Sequence, residues 1–426
     1  MTKATADEIV TASSSATRRF KVLLIAYACE PGRGSEPGTG WNMALGLAKF
    51  HNVTVATRAN NRTTIEKFLA TYCAPAPDFM FVDPPSWTLK LKKRGLMPVQ
   101  LFYLFWQIEV ARMIKSRTDD FDILHQLTFN SFEVPPFAFH SCKATKVWGP
   151  IGGGQTVPTG MLRAFGCIGG VKEWMRNMRV RLSAANPLVT RTLRQCSLVL
   201  FANEETKNLL SKHCTGNIGS MVDVGVDEDK FMASPNRTKE NHLTLLSAGR
   251  LENRKGVLVL IDAFADLAKK YPHLRLRMVG TGPLYNKILR RIDRLQISNS
   301  VTLTGSVDHD VMQREFAAAD LFVFPSLRDT SGAVVLEAMA TGLPVACFDH
   351  QGAALMVKAD CGTKAIAHEF NEAISTLHNA IERLVADSDF RKDCGHHAME
   401  SITSIYDWKS KSLLISDHYH SLHGQI

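Results

Sequence analysis

Residues 321–348, LFVFPSLRDTSGAVVLEAMATGLPVACF, decide the fold of this chain. A short apolar run, Leu321–Pro325, is followed by a polar loop, by an apolar stretch that begins near Gly332, and by a second apolar run, Pro344–Phe348. A buried strand, a helix and another buried strand in this order form the unit of a parallel sheet covered by helices. The stretch therefore predicts an α/β fold.

The same alternation extends outward from this stretch along almost the whole chain. In the first half the predicted strands are Lys21–Tyr27, Val53–Thr57, Phe79–Val82, Ile123–Leu127, Lys146–Trp148 and Leu198–Ala202. In the second half they are Leu243–Ala248, Leu274–Val279, Val301–Thr304, Leu321–Pro325 and Pro344–Phe348. Two such strand sets predict two Rossmann-like domains that face a cleft, with ligands at the carboxyl ends of the strands.

The predicted domain limits follow from the two strand sets. Residues 1–19 are rich in Ala, Ser and Thr, contain no apolar core and predict a disordered tail. Residues 20–232 predict the N-terminal domain and residues 241–406 the C-terminal domain, with the polar segment 227–241 as the linker. The amphipathic stretch 407–426 is expected to pack back on the N-terminal domain.

Composition and charge exclude several classes of protein. The nine cysteines are scattered and form no C-x-x-C pair, which is typical of a cytoplasmic protein with reduced thiols. No pattern indicates a helix-turn-helix, a zinc finger or an aromatic RNA-binding platform, so we expect no nucleic-acid partner despite a formal net charge of +9. The most apolar stretch, 96–113, is interrupted by proline, glutamine and charged residues, so no transmembrane span is predicted.

A candidate anion site follows the strand that ends at Ala248. Gly249 and Arg250 come directly after this strand, and Lys255 and Gly256 precede a helical stretch. A glycine turn lets the backbone approach a ligand, the two cations neutralise charge, and the helix amides point at an anion such as a diphosphate. The alternative is that both cations are solvated loop charges, and this pattern alone does not decide between the two.

The loop and helix of the opening stretch hold two candidate carboxylates. Asp329 lies at the carboxyl end of a predicted strand, and Glu337 lies inside an almost wholly apolar helix. A carboxylate in such surroundings is unfavourable unless it is paired or binds a ligand, and the vicinal hydroxyls of a ribose would satisfy both of its oxygens. The alternative is a core glutamate bonded to a neighbouring arginine or to a backbone amide.

The two patterns together resemble the family 4 retaining glycosyltransferases of the GT-B fold. The pair is Gly-Arg-x-x-x-x-Lys-Gly from Gly249 and acid-x7-Glu from Asp329, the latter with a Gly-Leu-Pro tail. The segments Val279–Pro283 and Val301–Gly305 are similar to two further elements of that family. The resemblance covers the second half well and the first half more loosely.

The resemblance implies roles in binding a nucleotide-diphosphate-sugar donor. Arg250 and Lys255 would bind the diphosphate and offset charge on the leaving group, and Glu337 would hold the ribose hydroxyls. The nucleobase would lie against residues 305–308. No aspartate pair suggests a metal, so we expect neither a metal nor another cofactor.

The donor sugar is assigned to the Asp329 loop by the same resemblance. Many family members have Glu where Asp329 stands, so the shorter side chain is expected to change the placement or the choice of sugar. Backbone atoms would complete the donor site at Gly249, Ser331, Gly332 and Ala333.

Glycine-rich and polar strand ends in the first half suggest further candidates. Gly38 and Gly40 resemble the family's first loop and would lie nearest the diphosphate, although a plain structural turn is nearly as well supported. Glu36 is a candidate on the acceptor side. His125 is a candidate catalytic residue, but Leu127 occupies the position where the family often has a histidine, so a structural role is the alternative. The cluster 152–155 would line the acceptor side.

Basic residues gather at two places in the N-terminal half and suggest contact with an anionic membrane. One cluster comprises Lys90, Lys92, Lys93 and Arg94, and the other Lys172, Arg176, Arg179 and Arg181. The second cluster alternates with Trp174, Met175 and Met178, as in an interfacial helix. A solvated face over a core stripe is the alternative for either cluster.

The sequence thus predicts a cytoplasmic hexosyltransferase, peripheral on the inner face of the plasma membrane. It would transfer a sugar, with retention, to a lipid-linked or growing surface polysaccharide. Two alternatives are a nucleotide-sugar 2-epimerase on the same fold and a non-catalytic protein that binds nucleotide sugars.

Overall fold

The computed structural model describes residues 18–117, 121–227 and 242–424. The strands of the first half are β1 (Lys21–Ile25), β2 (Asn52–Thr57), β3 (Asp78–Phe81), β4 (Ile123–Gln126), β5 (Thr145–Ile151), β6 (Leu198–Phe201) and β7 (Asn217–Ser220). They form one parallel sheet in the order β3-β2-β1-β4-β5-β6-β7. Because the order reverses its direction between β1 and β4, a crevice opens at their carboxyl ends.

The second half repeats this architecture with six strands. They are β8 (Leu243–Ala248), β9 (Leu274–Val279), β10 (Val301–Gly305), β11 (Leu321–Phe324), β12 (Val345–Phe348) and β13 (Gly362–Ala365). These strands are also parallel, in the order β10-β9-β8-β11-β12-β13. The predicted α/β class with two Rossmann-like domains is confirmed.

Helices cover the faces of the two sheets. In the first half they are α1 (Ser35–Ala48), α2 (Arg62–Leu69), α3 (Ser86–Lys93), α4 (Val99–Ser116), α5 (Gly166–Ala184), α6 (Pro187–Gln195) and α7 (Glu204–Leu210). In the second half they are α8 (Val257–Lys270), α9 (Tyr285–Arg294), α10 (His309–Ala318), α11 (Ala333–Ala340), α12 (Gln351–Met356), α13 (Phe370–Ala386), α14 (Ser388–Ser401) and α15 (Trp408–His423).

Each sheet is buried on both faces, which explains its continuous apolar strands. In β8, Leu245 belongs to the apolar cluster that contains α8 and α13, whereas Leu246 belongs to the cluster that contains α11. The first sheet is likewise enclosed by two apolar clusters. Successive side chains of a strand therefore enter different cores, and the loops at the carboxyl ends are held by packing on both sides.

Two strands, β7 and β13, were not predicted from the sequence. Their sequences, NIGS and GTKA, lack an apolar run, and each strand lies at the edge of its sheet. An edge strand with few apolar residues gives little periodic signal, and its hydrogen bonds to one neighbour hold it in place.

Residues near both limits of the described chain contact the N-terminal domain. In the predicted tail, residues 1–17 lie outside the described residues, whereas Arg19 donates hydrogen bonds to the carbonyl oxygens of Ala48 and His51. Most of the predicted linker, 228–241, also lies outside them. At the other end, α15 returns to the first domain, where Tyr419 is buried in the apolar cluster that contains α1.

Candidate functional site

A cavity of about 920 Å³ lies between the two domains. Its walls come from the loops at the carboxyl ends of β1, β4, β8, β9, β10 and β11, the edge at which ligands bind in open α/β sheets. Of the predicted donor-site residues, the cavity wall includes Gly249, Arg250, Lys255, Asp329, Ser331, Gly332, Ala333 and Glu337. The candidate acceptor-side residue Glu36 also lines it.

The cationic wall begins where β8 ends. The Arg250 side chain is 68% exposed and lies 3.6 Å from the carboxylate of Glu252. Lys255 ends a short 3-10 turn, and Gly256 then starts α8 with a φ of 64°. A Cβ atom on Gly256 would stand 1.8 Å from the carbonyl oxygen of Pro325, so only glycine allows this close approach. The turn thereby fixes Lys255 beside the end of β11.

Asp329 is held by cations and by a backbone hydrogen bond. Its carboxylate accepts a hydrogen bond from the ammonium group of Lys255, and Arg254 lies 3.9 Å from its other oxygen. The backbone N–H of Asp329 donates to the side-chain carbonyl of Gln351. The two patterns found in the sequence, some eighty residues apart, therefore meet in one ion pair.

The N-terminus of α11 faces the same cavity. Gly332, Ala333 and Val334 line the wall where this helix begins, so its first amides are available to an anion. Glu337 lies about one turn further along the helix. Burial raises the pKa of the Glu337 carboxyl group, and His309 partly offsets this effect. No hydrogen-bond donor to this carboxylate is found among the described residues.

The predicted nucleobase segment borders the end of the cavity at which Glu337 lies. Ser306, Val307 and Asp308 line the wall, whereas Gly305 does not. The Asp308 side chain caps α10 by accepting a hydrogen bond of 2.8 Å from the amide of Val311. The segment is therefore fixed by the helix that follows it.

The opposite wall belongs to the N-terminal domain and has an unusual backbone. Ser35 and Phe129 both line the cavity with positive φ values of 57° and 68°, which are unfavourable for residues other than glycine. Glu36 joins the two loops, because its carboxylate accepts a hydrogen bond of 2.7 Å from the amide of Asn130. Burial raises the pKa of Glu36. Glu36 therefore holds this wall in a strained conformation.

Asp223 connects the two domains at the cavity wall. It accepts hydrogen bonds from the hydroxyl group of Ser331 and from the side-chain amide of Asn130. Burial raises the pKa of Asp223, and the bond from Ser331 and the nearby charge of Lys411 oppose this effect. Asp223 thus fixes Ser331, in the loop between β11 and α11, against the N-terminal domain.

The segment 152–155 also contacts the loop between β11 and α11. Gly153 lines the cavity, and the side-chain amide of Gln155 donates a hydrogen bond of 2.9 Å to the hydroxyl group of Thr330. The predicted position near the cleft is therefore observed, although Gln155 contacts protein atoms of the opposite domain.

The structure does not bring Gly38, Gly40 or His125 to the cavity. Gly38 and Gly40 lie within α1, where a Cβ atom on either would stand about 2 Å from a backbone oxygen of the preceding loop. They allow the helix to pack closely on that loop. His125 is fully buried between the hydroxyl group of Tyr419 (2.6 Å) and the carbonyl oxygen of Gly149 (2.7 Å). In the described structure these hydrogen bonds join His125 of β4 to β5 and to α15.

Three residues of the cavity wall, Asp223, Phe129 and Asn130, are not among the site residues predicted from the sequence. The hydrogen bond from the amide of Asn130 to Glu36 joins segments 94 residues apart, so it exists only in the folded chain. Among the residues that the structure describes, no group of three or more His, Cys, Asp or Glu side chains is arranged to hold a metal ion.

Comparisons with known proteins identify similar sequences and similar folds. Residues 228–401 match the family model of glycosyl transferases group 1. The alpha-monoglucosyldiacylglycerol synthase of Streptococcus pneumoniae is 28% identical over 182 residues, which are 40% of this chain and 41% of that protein. The D-inositol 3-phosphate glycosyltransferase of Corynebacterium jeikeium is 26% identical over 243 residues, 53% and 57% of the two chains. The matched segments thus span about half the length of these relatives.

Solved structures match over nearly the whole chain. Sucrose-phosphate synthase from Thermosynechococcus elongatus has a TM-score of 0.67 at 16% identity, covering 96% of this chain and all of that one. Anabaena HepE in complex with UDP and glucose has a TM-score of 0.60 at 19% identity, covering 95% and 100%. At these identities the likeness shows the fold, which is GT-B as predicted. Over residues 228–401, the chain is similar to the group 1 glycosyltransferases.

Proposed function

We propose that this protein is a retaining glycosyltransferase of the family 4 type, a hexosyltransferase that uses a nucleotide-diphosphate sugar. The observation that carries the proposal is the composition of the cavity wall. The wall combines two cations and a helix N-terminus with two carboxylates, Asp329 and Glu337. An anion with hydroxyl groups on both sides matches this arrangement, since cations and amides bind phosphates and carboxylates accept hydrogen bonds from hydroxyls.

Donor binding would change the partners of Lys255. In the structure Lys255 is paired with Asp329. A bound diphosphate offers Lys255 a stronger counter-charge, and the carboxylate of Asp329 is then free to accept hydrogen bonds from the donor sugar. Arg250 is mostly exposed and is free to turn toward the phosphates. Both cations would stabilise the charge that develops on the departing diphosphate.

Retention is supported by the hydrogen bonds that the carboxylates on the N-terminal wall accept from protein groups. An inverting enzyme needs a free base on the side of the acceptor, and Glu36 and Asp223 both lie there. Glu36 accepts a hydrogen bond from the amide of Asn130, and the two oxygens of Asp223 accept hydrogen bonds from Ser331 and Asn130. We therefore propose that the acceptor hydroxyl attacks on the face from which the diphosphate leaves, and that a phosphate oxygen takes its proton.

The stereochemical proposal has a direct test. Nuclear magnetic resonance of the first product should show the anomeric configuration of the donor. Glu36→Gln and Asp223→Asn variants should keep measurable transfer, because neither carboxylate takes the proton. An inverted product, together with loss of transfer in one of these variants, would identify that carboxylate as a base and refute retention.

The acceptor is proposed to be a lipid-linked or growing surface glycan, and α5 supports this proposal. This helix buries Glu173 and Asn177 and exposes its large apolar side chains. We define its outer face by Ile168, Val171, Trp174, Met175, Met178 and Leu182, which are between 38% and 76% exposed. Apolar residues turned outward beside exposed cations are typical of a helix that lies on an anionic membrane.

One member of the second basic cluster points inward. Arg176 donates a hydrogen bond of 2.9 Å to the carbonyl oxygen of Gln155, so it cannot also face a membrane. Lys172, Arg179 and Arg181 remain on the exposed side. The inner side of α5 thus lies beside the cavity loops, and its outer face would bring the cavity close to lipid. The relative from Streptococcus pneumoniae is itself named for a glycolipid.

The described residues contain no helix that is both long and apolar enough to span a bilayer. Contact with a membrane through the outer face of α5 would therefore be peripheral. We propose the cytoplasmic side of the plasma membrane, where nucleotide sugars are made.

A binding experiment tests the donor site. Thermal shifts should be recorded with uridine, guanosine and adenosine diphosphates and their common sugars, for wild type, Lys255→Ala and the exposed control Lys269→Ala. We expect one nucleotide to stabilise wild type and the control but not Lys255→Ala. If no nucleotide shifts folded wild type, the donor site is refuted. If a nucleotide sugar binds but is neither transferred nor hydrolysed, the non-catalytic alternative is supported.

A further inference from the structure

Gln351 lies directly behind the loop that carries Asp329. It is buried, with 4% of its surface exposed, and starts α12 with a φ of 61°. A left-handed backbone is unfavourable for a side chain of this size, so other contacts must maintain it. Residues of this kind cluster at functional sites, which makes the contacts of Gln351 informative.

The side-chain amide of Gln351 holds the Asp329 loop on both sides of Arg328. Its oxygen accepts a hydrogen bond from the backbone N–H of Asp329, and its nitrogen donates one of 3.0 Å to the carbonyl oxygen of Leu327. The next residue, Gly352, packs so closely that a Cβ atom there would stand 2.3 Å from the loop backbone at Thr330. The start of α12 therefore supports the loop directly.

The backbone of Gln351 is bonded to the other domain. Its N–H donates a hydrogen bond of 2.7 Å to Oε1 of Glu205, at the start of α7. The second oxygen of Glu205, Oε2, is buried and accepts no hydrogen bond within the described residues. The same loop receives a hydrogen bond from Asn203, whose side-chain amide donates to the carbonyl oxygen of Thr330 at 3.3 Å. The N-terminal domain is thus hydrogen-bonded both to the Asp329 loop and to Gln351.

We propose that Gln351 is a positioning residue for Asp329, and that its bond to Glu205 makes this positioning depend on closure of the two domains. The inference rests on the proposed function only in assigning the donor sugar to Asp329. When the domains separate, the Glu205 bond breaks and Gln351 loses one of the contacts that hold its backbone. The Asp329 loop then loses its support, so the donor sugar is aligned only in the closed molecule.

Gln351→Gly is the first test, because glycine removes the amide and also relieves the backbone conformation. We expect kcat to fall about 10- to 100-fold, as for a small misplacement of a reacting group. The affinity for the nucleoside diphosphate should stay within about twofold of wild type, since Arg250 and Lys255 are untouched. A purely structural role predicts a change in stability with wild-type kcat, and that result would overturn the proposal.

Glu205 supplies a matched pair of variants for the coupling between domains. Glu205→Ala removes the acceptor of the Gln351 amide, whereas Glu205→Gln keeps an oxygen at the same place. We expect Glu205→Ala to lower kcat in the same direction as Gln351→Gly, and Glu205→Gln to restore most of it. Equal kcat values for Glu205→Ala and wild type would refute the coupling.

Hydrogen exchange gives a readout that is independent of activity. The amides of residues 327–332 should exchange faster in Gln351→Gly and in Glu205→Ala than in wild type or Glu205→Gln. Unchanged exchange in both weakened variants would refute the positioning role even if the protein transfers no sugar. Failure of the proposed function would instead appear as absence of nucleotide-sugar binding in wild type.

Discussion

Lys411 is a buried lysine beneath the cavity wall, and its charge should control stability above neutral pH. Its side chain is 2% exposed, and the ammonium nitrogen donates a hydrogen bond of 2.6 Å to the carbonyl oxygen of Val222. Burial lowers its pKa from 10.5 to about 7, and Asp223 and Asp407 oppose this shift. The folded protein therefore prefers the neutral amine, whereas the unfolded chain keeps the ammonium ion until much higher pH.

The sign and size of the effect follow from proton linkage. Between the folded and unfolded pKa values of Lys411 the unfolded state binds more protons, so the free energy of unfolding rises with pH. One pKa unit corresponds to about 1.36 kcal/mol. The lysine should therefore contribute a rise of about 2 kcal/mol between about pH 8 and about pH 9.5, a range in which the carboxylates stay ionised.

Lys411→Met tests this reasoning with a side chain of similar length and no charge. The variant loses the hydrogen bond to Val222, which changes its stability by an amount that does not vary with pH. Urea unfolding of both proteins across the range should show that the stability advantage of Lys411→Met over wild type shrinks by about 2 kcal/mol from about pH 8 to about pH 9.5. Parallel curves for the two proteins would show that Lys411 keeps an ordinary pKa and would refute the argument.

Three further predictions concern the donor site, the buried histidine and the outer face of α5. Glu337→Gln should raise the donor KM about tenfold or more, since a hydrogen bond to a charged group contributes about 1.5–3 kcal/mol. The temperature of thermal unfolding should stay at or above that of wild type. An unchanged KM would contradict the ribose contact. Burial lowers the pKa of His125 to about 4, so the free energy of unfolding should decrease as pH falls below about 6.5. In acid-unfolding curves His125→Gln should reduce this decrease, and it should leave the donor KM unchanged. The double variant Ile168→Glu, Met175→Glu should weaken sedimentation with anionic vesicles about tenfold or more, whereas Leu413→Glu, at an exposed site on α15, should not. Equal binding by wild type and by both variants would refute the membrane surface.

The fold and the C-terminal half of the cavity wall could be predicted because they are encoded locally. Each buried strand is a continuous apolar run, and Arg250, Lys255, Asp329 and Glu337 occur at fixed distances from strand ends. In a parallel sheet the carboxyl ends lie along one edge, so the strand order alone brings these residues together. A pattern within one βαβ unit therefore carries information about a site between units.

The N-terminal wall could not be predicted because its contacts join distant segments. Asp223 is hydrogen-bonded to Ser331, 108 residues away in the sequence, and Glu36 is hydrogen-bonded to Asn130, 94 residues away. Glu36 and Ser331 were candidates from the sequence, but the partners that they bond, Asn130 and Asp223, were not. Gly38 and Gly40 show the opposite error, since a glycine-rich sequence suggested phosphate contact where close packing of α1 is the physical reason.

The charges around the cavity are separated in a way that limits what it can bind. Among the described residues, its wall carries the carboxylates of Glu36, Asp223, Asp308, Asp329 and Glu337 and two cations, Arg250 and Lys255. A ligand that is anionic throughout would be repelled by most of this wall. A ligand with a compact negative group between two hydroxyl-rich parts avoids that repulsion, because the cations and the start of α11 meet the charge while the carboxylates meet hydroxyl groups. This distribution favours a sugar joined to a nucleoside through a diphosphate over a free polyphosphate or a nucleic acid, and it predicts that the nucleotide sugar gains affinity over the bare nucleoside diphosphate through Asp329.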